Sequence, residues 1–210
     1  MQDDGGLKRI LALSWGYQLF RTMVGARTAT FWIRDQFWRI KPGQKVVDIG
    51  CGPGSILEYL PDDIHYVGFD ISPEYIQHAR TLVAGDPNKQ FIVGVAEDFI
   101  ANLPEEMRDA DLVIMNGLLH HLEDEEAIAA LRLAYSSLAP GGRLVCLEGC
   151  FLLRQQPLSR WMVSQDRGKN VRHEAEWKAL IANVFTCFET HVLTGLIRIP
   201  YTHLVVEARK

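Results

Sequence analysis

Three glycines and an aspartate in the first half of the chain have the spacing of a nucleoside-binding site. Gly50, Gly52 and Gly54 directly follow the apolar run "KVVDI", and Asp70 ends the next apolar run, twenty residues after Gly50. Glycine permits a tight turn and a close approach of the backbone to a ligand. A helix expected to begin near Ser55 would offer free N–H groups. In a doubly wound sheet, an acid at the position of Asp70 can accept hydrogen bonds from two ribose hydroxyls.

Asp48 and Ser55 indicate which kind of nucleotide this loop holds. A dinucleotide places its pyrophosphate at the helix N-terminus and typically uses the pattern G-x-G-x-x-G. The third glycine of that pattern would be residue 55, which is serine. A carboxylate at Asp48 would repel a pyrophosphate but suits a ligand with a cationic amino group. S-adenosylmethionine, with its adenosine, sulfonium and amino-acid end, is such a ligand, and a nicotinamide dinucleotide remains a distant alternative.

The elements that must position these residues alternate along the chain. The β-rich runs are residues 45–49, 65–70, 90–96, 111–116 and 143–149. Helical stretches separate them, with start signals at Ser72 and Asp124. Continuous apolar strands joined by helices predict a parallel sheet covered on both faces. The runs 185–194 and 201–209 are too close for a crossover helix and should pair antiparallel.

These patterns predict an α/β fold with a Rossmann-like, doubly wound, seven-stranded sheet, mostly parallel with a C-terminal antiparallel strand pair. A length of 210 residues predicts a single domain. Its expected parts are an N-terminal helical cap at 1–42, a ligand-binding core at 43–149, a substrate lid at 150–173 and a C-terminal helix with the strand pair at 174–210.

Composition and charge narrow the class of protein further. The net charge is −4, so the broad basic face that nucleic acid requires is not expected. The chain starts without the features of a secretory signal, and no apolar run approaches the roughly 18 residues of a membrane span. The four cysteines have no metal-ligand spacing. We expect a cytoplasmic chain with reduced thiols; its oligomeric state stays open.

Four segments resemble, in order, the motifs of class I S-adenosylmethionine-dependent methyltransferases, specifically the small stand-alone kind. They are "VVDIGCGPG", "GFDIS", "DLVIMNGLLHHL" and "LAPGGRLVCLE". The resemblance covers residues 40–150, and the last strand pair is similar to the family's strands six and seven. It implies methyl transfer from S-adenosylmethionine to a small molecule. An RNA or protein methyltransferase of the same fold and a catalytically silent binding subunit remain alternatives.

The resemblance also implies the cofactor-binding residues. Those implied for the methionine end are Asp48, Gly50, Cys51, Gly52, Asn116 and Gly117. Those implied for the ribose and adenine are Asp70, Ile71, Ala96 and Glu97. Relatives often carry aspartate where this chain has Val95, so Glu97 or Asp98 is expected to meet the adenine amino group instead.

His120 and His121 are the predicted catalytic residues. They follow the fourth β-rich run, at the edge where ligands of such sheets bind. The cofactor is already activated, so the protein mainly aligns the acceptor and removes its proton, a task that suits imidazole near neutral pH. One histidine, with His120 preferred, is expected to be the base; the alternative is a helix cap or a core hydrogen bond. Related enzymes that bind a metal carry glutamates where this chain has Gly117 and His120, so no metal is predicted.

The segment 150–173 is the expected source of substrate contacts. It carries five basic residues and a single acid, Asp166. One interpretation is that its arginines, Arg172 among them, hold an anionic acceptor; the alternative is a solvated basic loop. Trp161 could line an apolar acceptor pocket or pack in the core. Tyr17 is a further candidate for contact with the substrate, because the N-terminal helices of relatives often close over the cofactor.

Overall fold

The computed structural model describes residues 25–83, 85–166 and 168–210. Tyr17 and most of the predicted N-terminal cap lie outside the described residues. The strands are β1 (Lys45–Ile49), β2 (His65–Asp70), β3 (Lys89–Val93), β4 (Ala110–Asn116), β5 (Leu138–Phe151), β6 (Arg172–His173), β7 (Cys187–Thr194) and β8 (Thr202–Arg209). The α-helices are α1 (Ala26–Ile33), α2 (Pro73–Leu82), α3 (Ala96–Ala101), α4 (Asp124–Ser137), α5 (Pro157–Ser164) and α6 (Glu174–Ala182).

The strands form one sheet in the order β3-β2-β1-β4-β5-β8-β7, and the short β6 pairs with β5 off this path. Strands β1 to β5 pair in parallel, whereas β8 pairs antiparallel with both β5 and β7. The predicted fold is therefore confirmed, with β6 as an addition. The strand order reverses between β1 and β4, so their carboxyl ends form the crevice in which doubly wound folds bind ligands.

Both faces of the sheet are buried, which explains why its strands are continuously apolar. Along β4, Val113 and Met115 belong to a core layer that α4 and α6 cover. The alternate residues Leu112 and Ile114 belong to the opposite layer, together with Trp38 from the π-helical turn Arg34–Trp38. Because β4 is packed on both sides, its carboxyl end is a rigid platform for the residues that follow it.

Two element boundaries differ from the sequence prediction. No α-helix begins at Ser55; turns follow the glycine loop, and then only the 3-10 turn Leu57–Tyr59. Pro61 forces the preceding Leu60 into an extended conformation, so too few residues remain for a helix. In addition, β5 begins at Leu138 rather than at residue 143, because Leu138 already pairs with Ala110 of β4.

The predicted lid at 150–173 contains regular structure and is partly fixed to the sheet. It begins with the end of β5, continues through α5 and ends with β6. Helix α5 buries Ser159 and Val163, and the Ser159 hydroxyl lies 2.9 Å from the Thr202 hydroxyl on β8. Within the described ranges, no helix is long and apolar enough to cross a membrane.

Arg172 has a structural role, contrary to the expectation that it holds an anionic acceptor. Its Nε and one Nη2 hydrogen donate to Asp124 at 3.0 and 2.6 Å. The other three N–H groups donate to the carbonyls of Leu119, Asn170 and Leu122 at 3.0–3.1 Å. A guanidinium has five N–H donors, so none remains for a ligand. Its charge also lies over the Trp177 ring.

Replacing Arg172 with methionine is expected to lower the free energy of unfolding by about 2–3 kcal/mol, because buried carbonyls lose a charged donor. Urea denaturation measures this, and Arg154→Met, at an exposed position of the same segment, is the matched control. Equal stability of the two variants would contradict the structural role of Arg172.

Candidate active site

The glycine loop is fastened to the carboxyl end of β2 by Asp70. One carboxylate oxygen of Asp70 accepts from the Gly52 N–H at 2.8 Å and the other from the Ser72 N–H at 2.9 Å. Gly50 adopts a φ of 77°, and a Cβ there would lie 2.9 Å from the Leu118 side chain. Open space surrounds the Cβ position of Gly52. The loop thus packs against the residues after β4 at Gly50 and is open to a ligand at Gly52.

Asp48 lies buried beneath this loop. Its Oδ2 accepts a hydrogen bond of 2.7 Å from the Tyr66 hydroxyl. Burial, partly opposed by this bond and reinforced by the negative charge of Asp70, raises the pKa of Asp48 to about 7. Burial also raises the pKa of the neighbouring Cys51 thiol far above its ordinary value, so this thiol is neutral and packs as an apolar group.

The residues predicted to contact adenine lie on an open apolar surface at the ends of β2 and β3. Ile71 directly follows Asp70 and is 67% exposed, and Val93 and Val95 are also exposed. Ala96 and Glu97 begin α3 immediately afterwards. A soluble fold leaves few neighbouring large aliphatic side chains in water without a partner, so this surface fits a flat apolar ligand group.

Asn116 and Gly117 end β4 on the other side of the glycine loop. The Oδ1 atom of Asn116 is buried and has no hydrogen-bond partner among the described residues. Gly117 has a φ of 63°, and a Cβ there would lie 3.5 Å from Cε1 of His120. The ring of His120 therefore lies against Gly117, the residue that follows Asn116.

Glu148 on β5 holds the turn that carries the two histidines. Its Oε1 accepts from the backbone N–H groups of Leu118 and Leu119 at 3.1 and 2.8 Å. Its Oε2 lies 3.4 Å from the backbone nitrogen of His120 and 2.5 Å from Nδ1 of the same residue. This buried carboxylate fixes both the 3-10 turn Leu119–His121 and the orientation of the His120 ring.

The second ring nitrogen of His120 meets a second carboxylate. Nε2 lies 3.2 Å from Oδ1 of Asp166, whose Oδ2 accepts a 2.5 Å hydrogen bond from the Tyr201 hydroxyl. Burial alone would lower the pKa of His120, but the hydrogen bonds and charges of Asp166 and Glu148 outweigh it and raise the pKa to about 10. His120 is therefore an imidazolium near neutral pH.

His121 differs from its neighbour. It is exposed, and its ring centroid lies 4.2 Å from that of His120. Partial burial and the positive charge of His120 lower the pKa of His121, so its imidazole is neutral near pH 7. The two adjacent histidines consequently differ in charge.

The structure places most of the predicted site residues at the carboxyl edge of the sheet. The surroundings of Trp161, Arg172 and His120 differ from those that the sequence predicted. Trp161 is 56% exposed on α5, so it does not pack in the core. Arg172 has no free donor, and His120 has no free ring nitrogen. Sequence reasoning missed Glu148 and Asp166. An acid inside the apolar run "RLVCLEGC" was the available signal for Glu148, because a buried charge needs partners.

Comparisons with known proteins agree with this geometry. The family model described as "Methyltransferase domain" matches residues 46–142. Ribosomal RNA large subunit methyltransferase E of Desulfatibacillum aliphaticivorans is 34% identical over 52% of this chain. Phosphoethanolamine N-methyltransferase 1 of Arabidopsis thaliana is 31% identical over 53% of it. The structure of human N-acetylserotonin methyltransferase in complex with SAM covers 80% of the chain at 26% identity, with a TM-score of 0.59.

Residues 46–142 therefore match a methyltransferase domain family, and the chain is similar in fold to a methyltransferase that binds S-adenosylmethionine. The matched regions span 56% of the ribosomal RNA methyltransferase, 22% of the phosphoethanolamine methyltransferase and 47% of the human chain. These relatives act on different classes of acceptor, as their names state. The comparisons thus support a methyltransferase domain around residues 46–142, and its acceptor is a separate question.

S-adenosylmethionine fits the residues at this edge of the methyltransferase domain. The unpartnered Asn116 Oδ1 is an acceptor suited to an ammonium group. The carboxylate of Asp70 lies at the position that suits ribose hydroxyls, and the exposed Ile71 lies beside it. Gly52, with open space at its Cβ position, follows β1, and β1 lies between β2 and β4 in the sheet.

Asp48→Asn is expected to change how the stability of the ligand-free domain depends on pH. The folded pKa of Asp48, about 7, is above its ordinary value of 3.8, so folding takes up a proton between these values. The wild-type domain therefore loses stability as pH rises from about 4 to about 7. The asparagine variant lacks this contribution and should be relatively more stable at pH 8.

Denaturation at pH 5 and pH 8 measures the difference, with Asp62→Asn at an exposed position as control. If the wild type and the Asp48→Asn variant lose the same stability between these pH values, Asp48 titrates normally in the folded domain.

Proposed function

We propose that this domain transfers the methyl group of S-adenosylmethionine to a small-molecule acceptor at the carboxyl edge of the sheet. The main support is the ring of His120, which Glu148 holds 3.5 Å from the Cβ position of Gly117, the residue after Asn116 with its unpartnered side-chain oxygen. An imidazole that can become a proton acceptor, once Asp166 no longer holds its Nε2 atom, thus lies next to the residues that fit the methionine end of the cofactor.

The residues that would hold the cofactor divide into two groups. For the adenosine, Asp70 would accept from the ribose and Ile71 would pack on the adenine, with Ala96 and Glu97 at its edge. For the amino-acid end, the residues are Asp48, Gly50, Cys51, Gly52, Asn116 and Gly117. When bound, the cofactor supplies a methyl group already activated by a sulfonium.

The histidines then supply the proton chemistry. Glu148 fixes Nδ1 of His120, so Nε2 is the nitrogen that can take the proton of an acceptor once it is free of Asp166. His121, neutral and exposed beside it, can relay that proton to solvent. Both predicted catalytic residues thus have a role, in different steps.

A small-molecule acceptor fits the charges at this edge better than RNA does. Asp70, Glu148 and Asp166 all lie there, and the net charge of the chain is −4. Polynucleotide binding depends on cationic side chains that face the phosphates. The similarity to a ribosomal RNA methyltransferase keeps RNA as the second candidate.

Replacing Asp70 with alanine is expected to weaken cofactor binding about 10- to 100-fold, because a charged hydrogen bond of about 1.5–3 kcal/mol is lost. Calorimetric titration with S-adenosylhomocysteine measures this, with Asp62→Ala as control and Asp70→Asn expected between the two. Unchanged affinity of Asp70→Ala would exclude its ribose role, and binding of NAD alone would overturn the proposal.

Transfer itself is tested with methyl-labelled cofactor and an extract of the cell that encodes the chain, separated into small molecules, RNA and protein. The wild type should label the small-molecule fraction, and His120→Gln should be slower by at least about 100-fold, the usual effect of removing a general base. Label in RNA would favour the second candidate. Absence of label from all fractions would indicate a silent binding subunit.

A further inference from the structure

We infer that Asp166 is a positioning residue that holds residues 168–170 against His120, and that the methyl acceptor binds by replacing the Asp166 carboxylate at Nε2 of His120. This inference rests on the proposed function, because it concerns the acceptor side of the same site. It also specifies the acceptor: a small molecule whose reactive group is neutral.

The contacts of Asp166 tie three parts of the chain to one another. Its Oδ1 accepts from Nε2 of His120 at 3.2 Å and from the backbone N–H of Gly168 at 3.0 Å. Its Oδ2 accepts from the Tyr201 hydroxyl, which precedes β8. The Asn170 N–H then donates to the backbone carbonyl of His120 at 2.9 Å. The segment is thus bonded to both the ring and the backbone of His120.

Gly168 brings the backbone of this segment directly onto the histidine ring. A Cβ at Gly168 would lie 1.8 Å from Cδ2 of His120 and 2.7 Å from its carbonyl oxygen, so only glycine fits. His120 is consequently only 7% exposed. In this closed arrangement, an acceptor cannot reach Nε2, so the proposed proton transfer requires Asp166 to leave.

The segment that covers His120 is anchored to the fold on both sides. Before it, α5 is fixed by its buried residue Val163. After it, Arg172 is fixed by its five hydrogen bonds. Lys169 between these points is exposed. Release of Asp166 and Asn170 from His120 would therefore free a short stretch between two anchored ends without disturbing the sheet.

The charges around the ring of His120 determine whether the ring is protonated, so replacement of Asp166 changes its protonation. Glu148, Asp166, Tyr201 and His121 face His120, and His203 lies behind Tyr201 with its ring centroid 4.7 Å away. Two carboxylates keep His120 protonated, so it cannot act as a base. A neutral hydroxyl or amine in place of Asp166 removes one negative charge, so the ring can release its Nε2 proton to solvent and then accept the proton of the acceptor.

The reaction then moves one proton and one methyl group. The acceptor atom gives its proton to Nε2 and forms a bond to the methyl carbon, while the electron pair of the breaking carbon–sulfur bond stays on sulfur. An acceptor with a carboxylate at this position would keep His120 protonated, as Asp166 does. The site therefore favours neutral hydroxyl or amine acceptors, in contrast to the anionic acceptor that the basic segment indicated.

Diethyl pyrocarbonate, which acylates neutral accessible imidazole, tests this arrangement without knowledge of the acceptor. At pH 7 in the wild type, His121 should react and His120 should be protected at least 10-fold, as measured by peptide mass spectrometry. Asp166→Ala should expose and neutralise His120, so that both histidines react at similar rates. Asp62→Ala is the control and should leave the wild-type pattern unchanged.

The variant Asp166→Asn separates the effect of the negative charge of Asp166 from its role in holding the segment over His120. Its amide oxygen can still accept from His120 or Tyr201, so hydrogen exchange at the Asn170 amide should stay slower than in Asp166→Ala. The NMR titration of His120 should nevertheless shift to lower pH than in the wild type, because one negative charge is gone. A purely structural role would leave that titration unchanged.

Rapid acylation of His120 in the wild type, or continued protection in a folded Asp166→Ala variant, would overturn the inference. Circular dichroism confirms that the variants are folded. Binding of S-adenosylhomocysteine is measured in parallel, so that its absence in the wild type counts against the proposed function, whereas the acylation pattern alone decides the role of Asp166.

Discussion

The carboxylate of Glu148, buried at the end of β5, organises the turn on which the acceptor side of the site depends. It accepts from successive backbone N–H groups of that turn and from the ring of His120. Arg172 binds the same turn through its carbonyls, by donating to those of Leu119 and Leu122. The carboxylate of Glu148 thus binds N–H groups of the turn, and the guanidinium of Arg172 binds its carbonyls. The position of the histidines follows from these two charges rather than from helix or strand formation.

The same charges connect the acceptor side to the chain that covers it. His120, fixed by Glu148, provides a cationic ring to which Asp166 binds, and Asp166 in turn orients Tyr201. On the cofactor side, Asp48 is also buried but has Tyr66 as its hydrogen-bond partner and keeps a pKa near neutral pH. The partners of these carboxylates therefore set their charge. Asp166 is paired with a cation and stays ionised, whereas Asp48 is partly protonated near neutral pH.

The sequence was sufficient to predict the sheet and its antiparallel strand pair, and to place the expected cofactor residues at the ends of its strands, because these follow from local patterns. Apolar runs, glycines such as Gly50 and the acid at Asp70 act close to their positions in the chain. The acceptor side could not be predicted in this way. In the sequence, Arg172 is one of several cations in a basic segment. Its partners are known only from the fold, which brings residues 119–124 beside it. Likewise, the contact between His120 and Asp166 joins residues on separate elements, and no local pattern encodes it.

A crystal structure of the domain with S-adenosylhomocysteine is the most direct measurement of the proposed site. The ribose hydroxyls should bind Asp70, the amino group should meet the Oδ1 atom of Asn116, and the sulfur should face the ring of His120 across a space for a small acceptor. A nucleoside bound elsewhere, or a sulfur directed away from His120, would contradict the assignment of this edge as the site of methyl transfer.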